Sequence, residues 1–267
     1  PFGLRRPEDG AFGSDMAGQV EAVGRSVTRF RPGDEVFAYV PQGAFAEYVS
    51  VPEDLLGRKP ANLSLEAAAA VPLAALTALQ GLRDHGRVRP GQHVLIIGAS
   101  GGVGTFTVQL AKWLGAQVTG VSSTRNLELV RSLGADHVVD YTREDATGNG
   151  RRYDLIVQLA GTRSPSDLRR ALTPKGALVM SSGESDGRWV GPLGRVLEAA
   201  ALTPFVRQRL GTFEVKPSGE DLRVLTELIE AGKLAPVIDR SYPLRETAEA
   251  IRYLEEGHAR GKVIITV

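Results

Sequence analysis

The sequence contains no cysteine, and this absence excludes disulfides, thiolate nucleophiles and cysteine-ligated zinc. The formal net charge is only +1, so electrostatics gives no argument for nucleic acid or an anionic membrane as a partner. No apolar stretch reaches the length of a membrane span, and the first residues lack a charged segment followed by an apolar one. These absences predict a cytoplasmic protein without a nucleic acid or membrane partner.

Histidine is also scarce, with four residues, and none of them pairs with another at metal-ligand spacing. We therefore assign no metal site. Hydrophobic residues make up 42% of the chain and charged residues 24%, which is ordinary for a globular protein. The length of 267 residues exceeds what one hydrophobic core usually serves, and this favours two domains.

The most informative stretch is VLIIGASGGVG, residues 94–104. Its four uninterrupted apolar residues predict a strand buried on both faces, as in a parallel sheet. Apolar residues at spacings of three and four then predict a helix that continues to Leu114. Between the two, small residues occupy the three positions of a dinucleotide fingerprint: Ala99, Gly101 and Gly104. Strand, glycine turn and helix in this order favour a pyrophosphate bound at the helix start over a tight turn without a ligand.

After this stretch, strand and helix patterns alternate, which predicts a doubly wound parallel sheet. The further strands are predicted at 117–121, 137–140, 155–159, 177–181 and 212–215. Before it, residues 1–60 contain turns such as Pro32-Gly33-Asp34 and short strand candidates at 36–40 and 45–51, a pattern typical of a small barrel.

The residues after the second strand of the sheet predict which nicotinamide cofactor is bound. An acidic residue there binds the free 2′-OH of NAD, whereas Arg and small hydroxyl residues accommodate the 2′-phosphate of NADP. Here Ser122, Ser123 and Arg125 follow the strand, with no acid before Glu128. We therefore expect NADPH rather than NADH. In the alternative interpretation Ser123 or Thr124 merely caps the next helix and Arg125 is solvated, and both interpretations can hold at once.

With these motifs the chain resembles the medium-chain dehydrogenase/reductase superfamily, in its zinc-independent quinone oxidoreductase (zeta-crystallin-like) branch. The resemblance covers nearly the whole chain. Its segments are GSDMAGQVEAVG (13–24), RFRPGDEVF (29–37), GAFAEYV (43–49), LTALQGL (76–82), VLIIGASGGVG (94–104), GADHVVDY (134–141) and GKVIITV (261–267).

The resemblance implies an α/β fold in which a Rossmann domain with a doubly wound parallel sheet accompanies a smaller GroES-like β-barrel domain. The implied boundaries are 1–76 for the barrel domain, 77–234 for the NADP-binding Rossmann domain and 235–267 for a return to the barrel. The matching segments begin after the family's first barrel strands, so the barrel is expected to be incomplete at its N-terminal side. The resemblance also implies a homodimer.

Residue by residue, the resemblance implies cofactor contacts in three groups. The pyrophosphate would meet Ser100, Gly101, Gly102 and Val103. The 2′-phosphate would meet Ser123 and Arg125, and Tyr141 would lie near the adenosine half. The nicotinamide side would be lined by Thr77, Leu159, Ala160, Gly161, Ser181, Ser182 and Gly183. For Thr77 and Tyr141 the alternative is simple packing between elements.

The implied activity is hydride transfer from NADPH to a small molecule: a quinone, an enone or a related activated carbonyl or alkene. Zinc-dependent relatives carry Gly-His-Glu at the positions of residues 13–15. Here Ser14 and Asp15 stand in place of the His and the Glu, so zinc is not expected. No catalytic residue is assigned, because the cofactor performs the difficult step and a product can take its proton from water. Asp15 either orients a water or substrate, or braces the barrel. Lys262 either approaches the cofactor or lies on the surface.

Two alternative functions remain open from the sequence. One is an NADPH-binding protein without catalytic activity, and the other is an alcohol dehydrogenase of the same superfamily.

Overall fold

The structure is a computed structural model that describes residues 12–181 and 206–267. The chain divides into two compact units. The first combines Pro1–Leu76 with Lys216–Val267, and the second is the continuous segment Thr77–Val215. Strands and helices of the described residues are numbered below in chain order.

The first unit is built on two small sheets. Strands β1 (Asp15–Gln19), β2 (Glu35–Tyr39) and β3 (Gly57–Arg58) form an antiparallel sheet in that order, and β10 (Ile238–Pro243) pairs in parallel with β11 (Lys262–Thr266). Its helices are α1 (Leu65–Ala69), the first part of α2 (Pro72–Gln80), α6 (Gly219–Glu230) and α7 (Thr247–Glu255).

The core of the first unit follows from the sequence pattern of β2. Phe37 and Ala38 are fully buried, and the turn before this strand is the predicted one, with Gly33 in the left-handed conformation at φ +93°. A cluster of buried apolar residues joins the strands to the loops between them: Phe30, Val36, Ala38, Val40 and Leu56.

Helix α6 lies in the first unit, whereas the sequence-based boundary at residue 234 assigned this helix to the Rossmann domain. In the structure α6 contacts β3, and the Thr226 hydroxyl donates a hydrogen bond to the Arg58 carbonyl oxygen at 3.2 Å. A Cβ at Gly219 would lie 2.4 Å from the Asp54 carbonyl oxygen, so the start of the helix packs directly against backbone. A domain boundary drawn from the sequence pattern takes no account of the sheet against which this helix packs.

The prediction of a strand over 45–51 is wrong. These residues form bends and no strand ladder. The N–H of Phe45 donates to Phe12 O at 2.9 Å, and the Tyr48 side chain is 73% exposed. The apolar residues that suggested a strand therefore have no partner strand within the described residues.

Within the described residues, the second unit contains a sheet of six parallel strands, and helices connect several of them. The strands are β4 (His93–Ile97), β5 (Gln117–Ser122), β6 (His137–Asp140), β7 (Tyr153–Gln158), β8 (Leu172–Ser181) and β9 (Arg209–Phe213). They lie in the order β6-β5-β4-β7-β8-β9, and every neighbouring pair is parallel. This confirms the predicted doubly wound sheet. The direction of winding reverses between β4 and β7, where ligands bind in such sheets.

The helices of the second unit are the remainder of α2, α3 (Gly102–Trp113), α4 (Leu127–Ser132) and the short α5 (Pro165–Leu168). Helix α3 contacts β4 and β5 and buries residues on more than one of its sides, among them Phe106, Val108 and Leu110. Strand β8 begins at Leu172, five residues before the predicted start at residue 177. The segment Thr173-Pro174-Lys175-Gly176 forms an irregularity within this strand, where the register against β7 shifts.

Candidate functional site

The turn between β4 and α3 lies at the point where the winding of the sheet reverses. Gly98 adopts φ +87°, and the N–H groups of Gly98 and Ala99 both donate to Val121 O, at 3.2 and 3.0 Å. Gly101 precedes the first helical residue in an extended conformation, and none of the side chains that the structure describes caps the helix. The N–H groups of the first helical turn therefore lack a capping acceptor, and such groups form an anion site.

The glycines of this turn differ in what they contact. A Cβ at Gly104 would lie 2.0 Å from Gly98 O, so the close packing of the helix on the turn requires glycine there. A Cβ at Gly101 would have only Gly98 O within 4 Å, at an ordinary 3.5 Å. The protein itself therefore leaves space at Gly101. This space suits a ligand that approaches the backbone closely.

The end of β5 is tied to this turn by a residue that sequence reasoning missed. Asn126 is 5% exposed, and its Nδ2 donates to Ser100 Oγ at 3.0 Å and to Ser123 Oγ at 3.4 Å. The amide of Asn126 therefore donates hydrogen bonds to two predicted site residues that are far apart in the sequence. The available signal was an Asn directly before a helix, which usually indicates a cap. Here the side chain makes no cap hydrogen bond and faces the two serines instead.

The other residues predicted at the adenosine end lie on neighbouring segments. Ser122 is buried at the end of β5, and Arg125 is exposed on the turn that follows. Tyr141 is 64% exposed, so the alternative that it packs between elements does not hold, and its N–H donates to Ser122 O at 3.2 Å. These residues therefore cluster at the carboxyl ends of β5 and β6.

Asp140, at the end of β6, brings a carboxylate to this edge. One carboxylate oxygen accepts from the Thr124 hydroxyl, and the other accepts from Thr142 N at 3.0 Å and Thr142 Oγ1 at 2.7 Å. The hydrogen bond from Thr124 is the main cause that lowers the pKa of Asp140 below its ordinary value. The carboxylate is thus ionised and already bonded within the protein.

The segment after β7 lies beside the glycine turn. Leu159 N donates to Ile97 O at 2.9 Å, and a Cβ at Gly98 would lie 2.7 Å from the Ala160 Cβ. Gln158 is 3% exposed and donates from Nε2 to Gly161 O at 3.1 Å and to Arg163 O at 3.3 Å. The structure therefore brings predicted nicotinamide-side residues next to the predicted pyrophosphate loop, and Gln158 fixes their backbone. Sequence reasoning treated this glutamine as a strand residue without a role.

An ion pair also fixes the segment after β7 to the segment after β6. Arg163 pairs with Asp145, with 2.9 Å between Nη2 and Oδ1, and donates to Thr147 Oγ1 at 2.6 Å. Burial raises the pKa of Asp145, but hydrogen bonds from Thr147 and the Arg163 guanidinium outweigh it and lower the pKa to about 2. The segments after β6 and after β7 are consequently joined by a charged pair that persists at neutral pH.

The remaining predicted residues are less informative. Thr77 is 7% exposed on α2, Gly102 and Val103 begin α3, and the backbone of Ser181 ends β8 opposite Phe213. Ser182 and Gly183 lie outside the described residues.

Asp15 and Lys262 both belong to the first unit. Asp15 accepts a hydrogen bond from Leu73 N at 2.6 Å and lies 2.6 Å from Lys262 Nζ, and both side chains are largely buried. Asp15 therefore braces the first unit, as one of the two interpretations from sequence expected, and Lys262 is not a surface lysine.

Over 12–181 and 206–267, no three histidine or acidic side chains lie close enough to hold a metal ion. Over the same residues, no helix has the length and apolar character needed to cross a membrane.

Comparison with known proteins gives two family matches and many relatives. Residues 133–265 match the family described as zinc-binding dehydrogenase, and residues 3–61 match the alcohol dehydrogenase GroES-like domain. Quinone-oxidoreductase QR1, chloroplastic, from Triphysaria versicolor is 34% identical over 94% of this chain and 78% of its own length. The NADPH-dependent alkenal/one oxidoreductase, chloroplastic, from Arabidopsis thaliana is 36% identical over 95% of this chain and 63% of its own length.

Among solved structures, the quinone oxidoreductase from Coxiella burnetii is similar over 96% of this chain and 79% of its own. The TM-score is 0.84 and the sequence identity is 31%.

Proposed function

Since the chain belongs to the medium-chain dehydrogenase/reductase superfamily, with quinone oxidoreductase-like relatives, we propose that it is an NADPH-dependent, zinc-independent reductase. It transfers a hydride to a quinone, an enone or a related activated carbonyl or alkene. The observation that carries the proposal is the pair of loops that meet where the sheet reverses its winding: the glycine turn with open space at Gly101, and the Leu159–Gly161 segment beside it.

Each predicted residue has a role in this proposal. The backbone of 100–103 binds the pyrophosphate at the helix start. Ser123 and Arg125 receive the 2′-phosphate, and Tyr141 lies beside the adenosine. Ser122 is buried at the end of β5 and donates its hydroxyl to Ser123 O at 3.4 Å, so it supports this segment from within. Residues 159–161, Thr77 and residues 181–183 line the nicotinamide side.

The preference for NADPH has support from the charges at the edge of the sheet. The segment after β5 offers hydroxyl groups and one guanidinium, which suit a phosphate dianion. In NAD-binding proteins of this fold, a carboxylate accepts hydrogen bonds from the adenosine ribose hydroxyls. The carboxylate of Asp140 already accepts hydrogen bonds from Thr124 and Thr142, so it is not available for this role.

When bound, the cofactor supplies the hydride. The residues of the chain hold its phosphates, fix the loop of 159–161 through Gln158 and Arg163, and so orient the nicotinamide. No side chain is assigned as a proton donor, and a reduced quinone takes its proton from water.

The experiment that tests this function titrates NADPH and NADH into the purified chain and then follows NADPH oxidation with a panel of quinones and α,β-unsaturated ketones. Tight NADPH binding with turnover, unchanged after chelator treatment, is the expected result. Binding without turnover would favour a cofactor-binding protein. NADP-dependent oxidation of simple alcohols without reduction of quinones would favour an alcohol dehydrogenase.

The cytoplasmic location and the homodimer are also proposals. The mass of the purified chain, measured by light scattering after size-exclusion chromatography, checks the dimer, and fractionation of the source cells checks the location.

A further inference from the structure

Nδ2 of the buried residue Asn126 donates to two hydroxyl oxygens, Ser100 Oγ at 3.0 Å and Ser123 Oγ at 3.4 Å. Each serine hydroxyl therefore acts as an acceptor toward Asn126. A hydroxyl that accepts in this way still has one O–H hydrogen to donate.

Neither of these O–H hydrogens has a protein acceptor among the residues that the structure describes. Ser100 and Ser123 are both half-buried residues, and the hydroxyl oxygen of each accepts its described hydrogen bond from Asn126. The two hydroxyl groups are thus donors without a recipient in the protein, at the edge of the sheet where the glycine turn begins its helix.

The other end of the amide is also unusual. Asn126 Oδ1 is buried, in a residue that is only 5% exposed, and it has no hydrogen-bond partner among residues 12–181 and 206–267. A buried acceptor without a partner destabilises a fold, so an arrangement of this kind calls for a compensating reason. The orientation of the Asn126 amide explains why this unpaired oxygen is retained. If the oxygen faced the serines, their hydroxyls would donate to it and would have no hydrogen left for a ligand.

We propose that Asn126 is a positioning residue that directs the hydroxyl hydrogens of Ser100 and Ser123 toward phosphate groups of the nicotinamide cofactor. This inference rests on the proposed function. Ser100 then donates to the pyrophosphate and Ser123 to the 2′-phosphate, and a single amide sets both donors. Asn126 itself does not touch the cofactor.

The sharpest test replaces the amide donor of Asn126 with a group that can only accept hydrogen bonds. In Asn126→Asp a carboxylate of almost the same shape accepts from both serines, turns their hydrogens inward and adds a negative charge. We expect the dissociation constant for NADPH to rise at least about tenfold, as loss of charge-assisted hydrogen bonds predicts. The rise for NADH is smaller, since NADH lacks the 2′-phosphate. Fluorescence titration with each nucleotide measures both.

A second variant distinguishes positioning from simple structural support. Asn126→Ala should raise the NADPH dissociation constant about fivefold in the wild-type background, a value typical of a lost hydrogen bond. It should add less than about twofold in a Ser100→Ala/Ser123→Ala background, where there are no hydroxyls left to position. This double-mutant cycle distinguishes positioning from structural support even if the Asn126→Asp variant does not fold.

Gln208→Ala is the matched control. Gln208 Oε1 is also buried without a hydrogen-bond partner in the described part of the chain, and Gln208 Nε2 donates to the carbonyl oxygens of Arg169 and Thr173. Its loss lowers thermal stability and leaves both dissociation constants unchanged.

Three results would overturn the inference. The first is NADPH affinity in Asn126→Asp equal to that of the wild type. The second is an undiminished effect of Asn126→Ala in the double-alanine background. The third is an effect of Gln208→Ala on affinity equal to that of Asn126→Ala. A wild-type chain that binds neither nucleotide overturns the proposed function itself, and the inference with it.

Discussion

Asp15 and Lys262 are 247 positions apart in the sequence, yet their side chains form an ion pair with 2.6 Å between Oδ2 and Nζ. The side chains are 15% and 18% exposed, and Asp15 also accepts from Leu73 N. The pair thereby joins β1, β11 and the beginning of α2 within one unit. A charge left alone at such a place is destabilising, because its partner no longer offsets the loss of hydration.

We expect Lys262→Met to lower the free energy of unfolding by about 3 kcal/mol, since it leaves the Asp15 carboxylate without its cation. The control is Arg223→Ala, which removes an exposed pair with Glu227 and should cost less than about 1 kcal/mol. Urea denaturation followed by circular dichroism measures both variants. Equal losses would mean that the Asp15–Lys262 pair contributes no more than a surface pair.

Substitutions at Gly101 and Gly104 should separate binding from folding. Gly101→Asp has room within the protein but places a carboxylate where a pyrophosphate is proposed, so the variant should fold and bind no NADPH. Gly104→Ala should unfold at a much lower temperature, because its Cβ would lie 2.0 Å from Gly98 O. Thermal melts and NADPH titrations on both variants test this. Normal NADPH affinity in Gly101→Asp would remove the glycine turn from the proposed site.

Arg125→Ala tests the proposed 2′-phosphate contact. Loss of a charge-assisted hydrogen bond should weaken NADPH binding by about 1–3 kcal/mol and leave NADH nearly unaffected. Arg131→Ala, which removes an arginine of α4 that pairs with Glu128, is the control and should change neither affinity. If Arg125→Ala weakens both nucleotides equally, the arginine does not read the 2′-phosphate.

The Asp145–Arg163 pair gives a prediction for acid pH. The pKa of Asp145 is lowered from 3.8 to about 2 in the folded chain, so its ionised form favours the folded state. That contribution is complete above about pH 4 and disappears as the pH falls toward 2. The side chain is 46% exposed, so the contribution is small.

Asp145→Asn should therefore melt slightly below the wild type at pH 7, and the difference should shrink as the pH is lowered through 4 to 2. The asparagine can still accept from Thr147, so the comparison isolates the charge. Carboxyl titration by NMR checks the pKa directly, and a value near 4 would contradict the prediction.

The sequence predicted the parts of the fold that depend on local pattern. The apolar run of 94–97, the small residues after it and the amphipathic helix to Trp113 form a strand, a turn and a helix as expected. Regular alternation along the chain also predicted the parallel sheet, because the connections between strands leave few other arrangements.

What the sequence could not predict depends on contacts between distant residues. Asn126 reaches Ser100 across 26 positions, and Arg163 reaches Asp145 across 18, with no local signal for either. The wrong strand over 45–51 has the same origin: a strand exists only with a partner, and no pattern within those residues states whether one is present. The domain membership of α6 likewise depends on the packing of Gly219 against Asp54.

The first unit is assembled from two separated segments of the chain, whereas the second is a single continuous segment. On a ribosome, every residue of Thr77–Val215 has been synthesised before residue 216 is added, so this unit can complete its sheet during translation. The first unit must remain unfinished until Lys262 emerges and reaches Asp15. During that interval its unpaired strand edges and apolar residues are exposed to other proteins, so the first unit is the part of the nascent chain most open to aggregation.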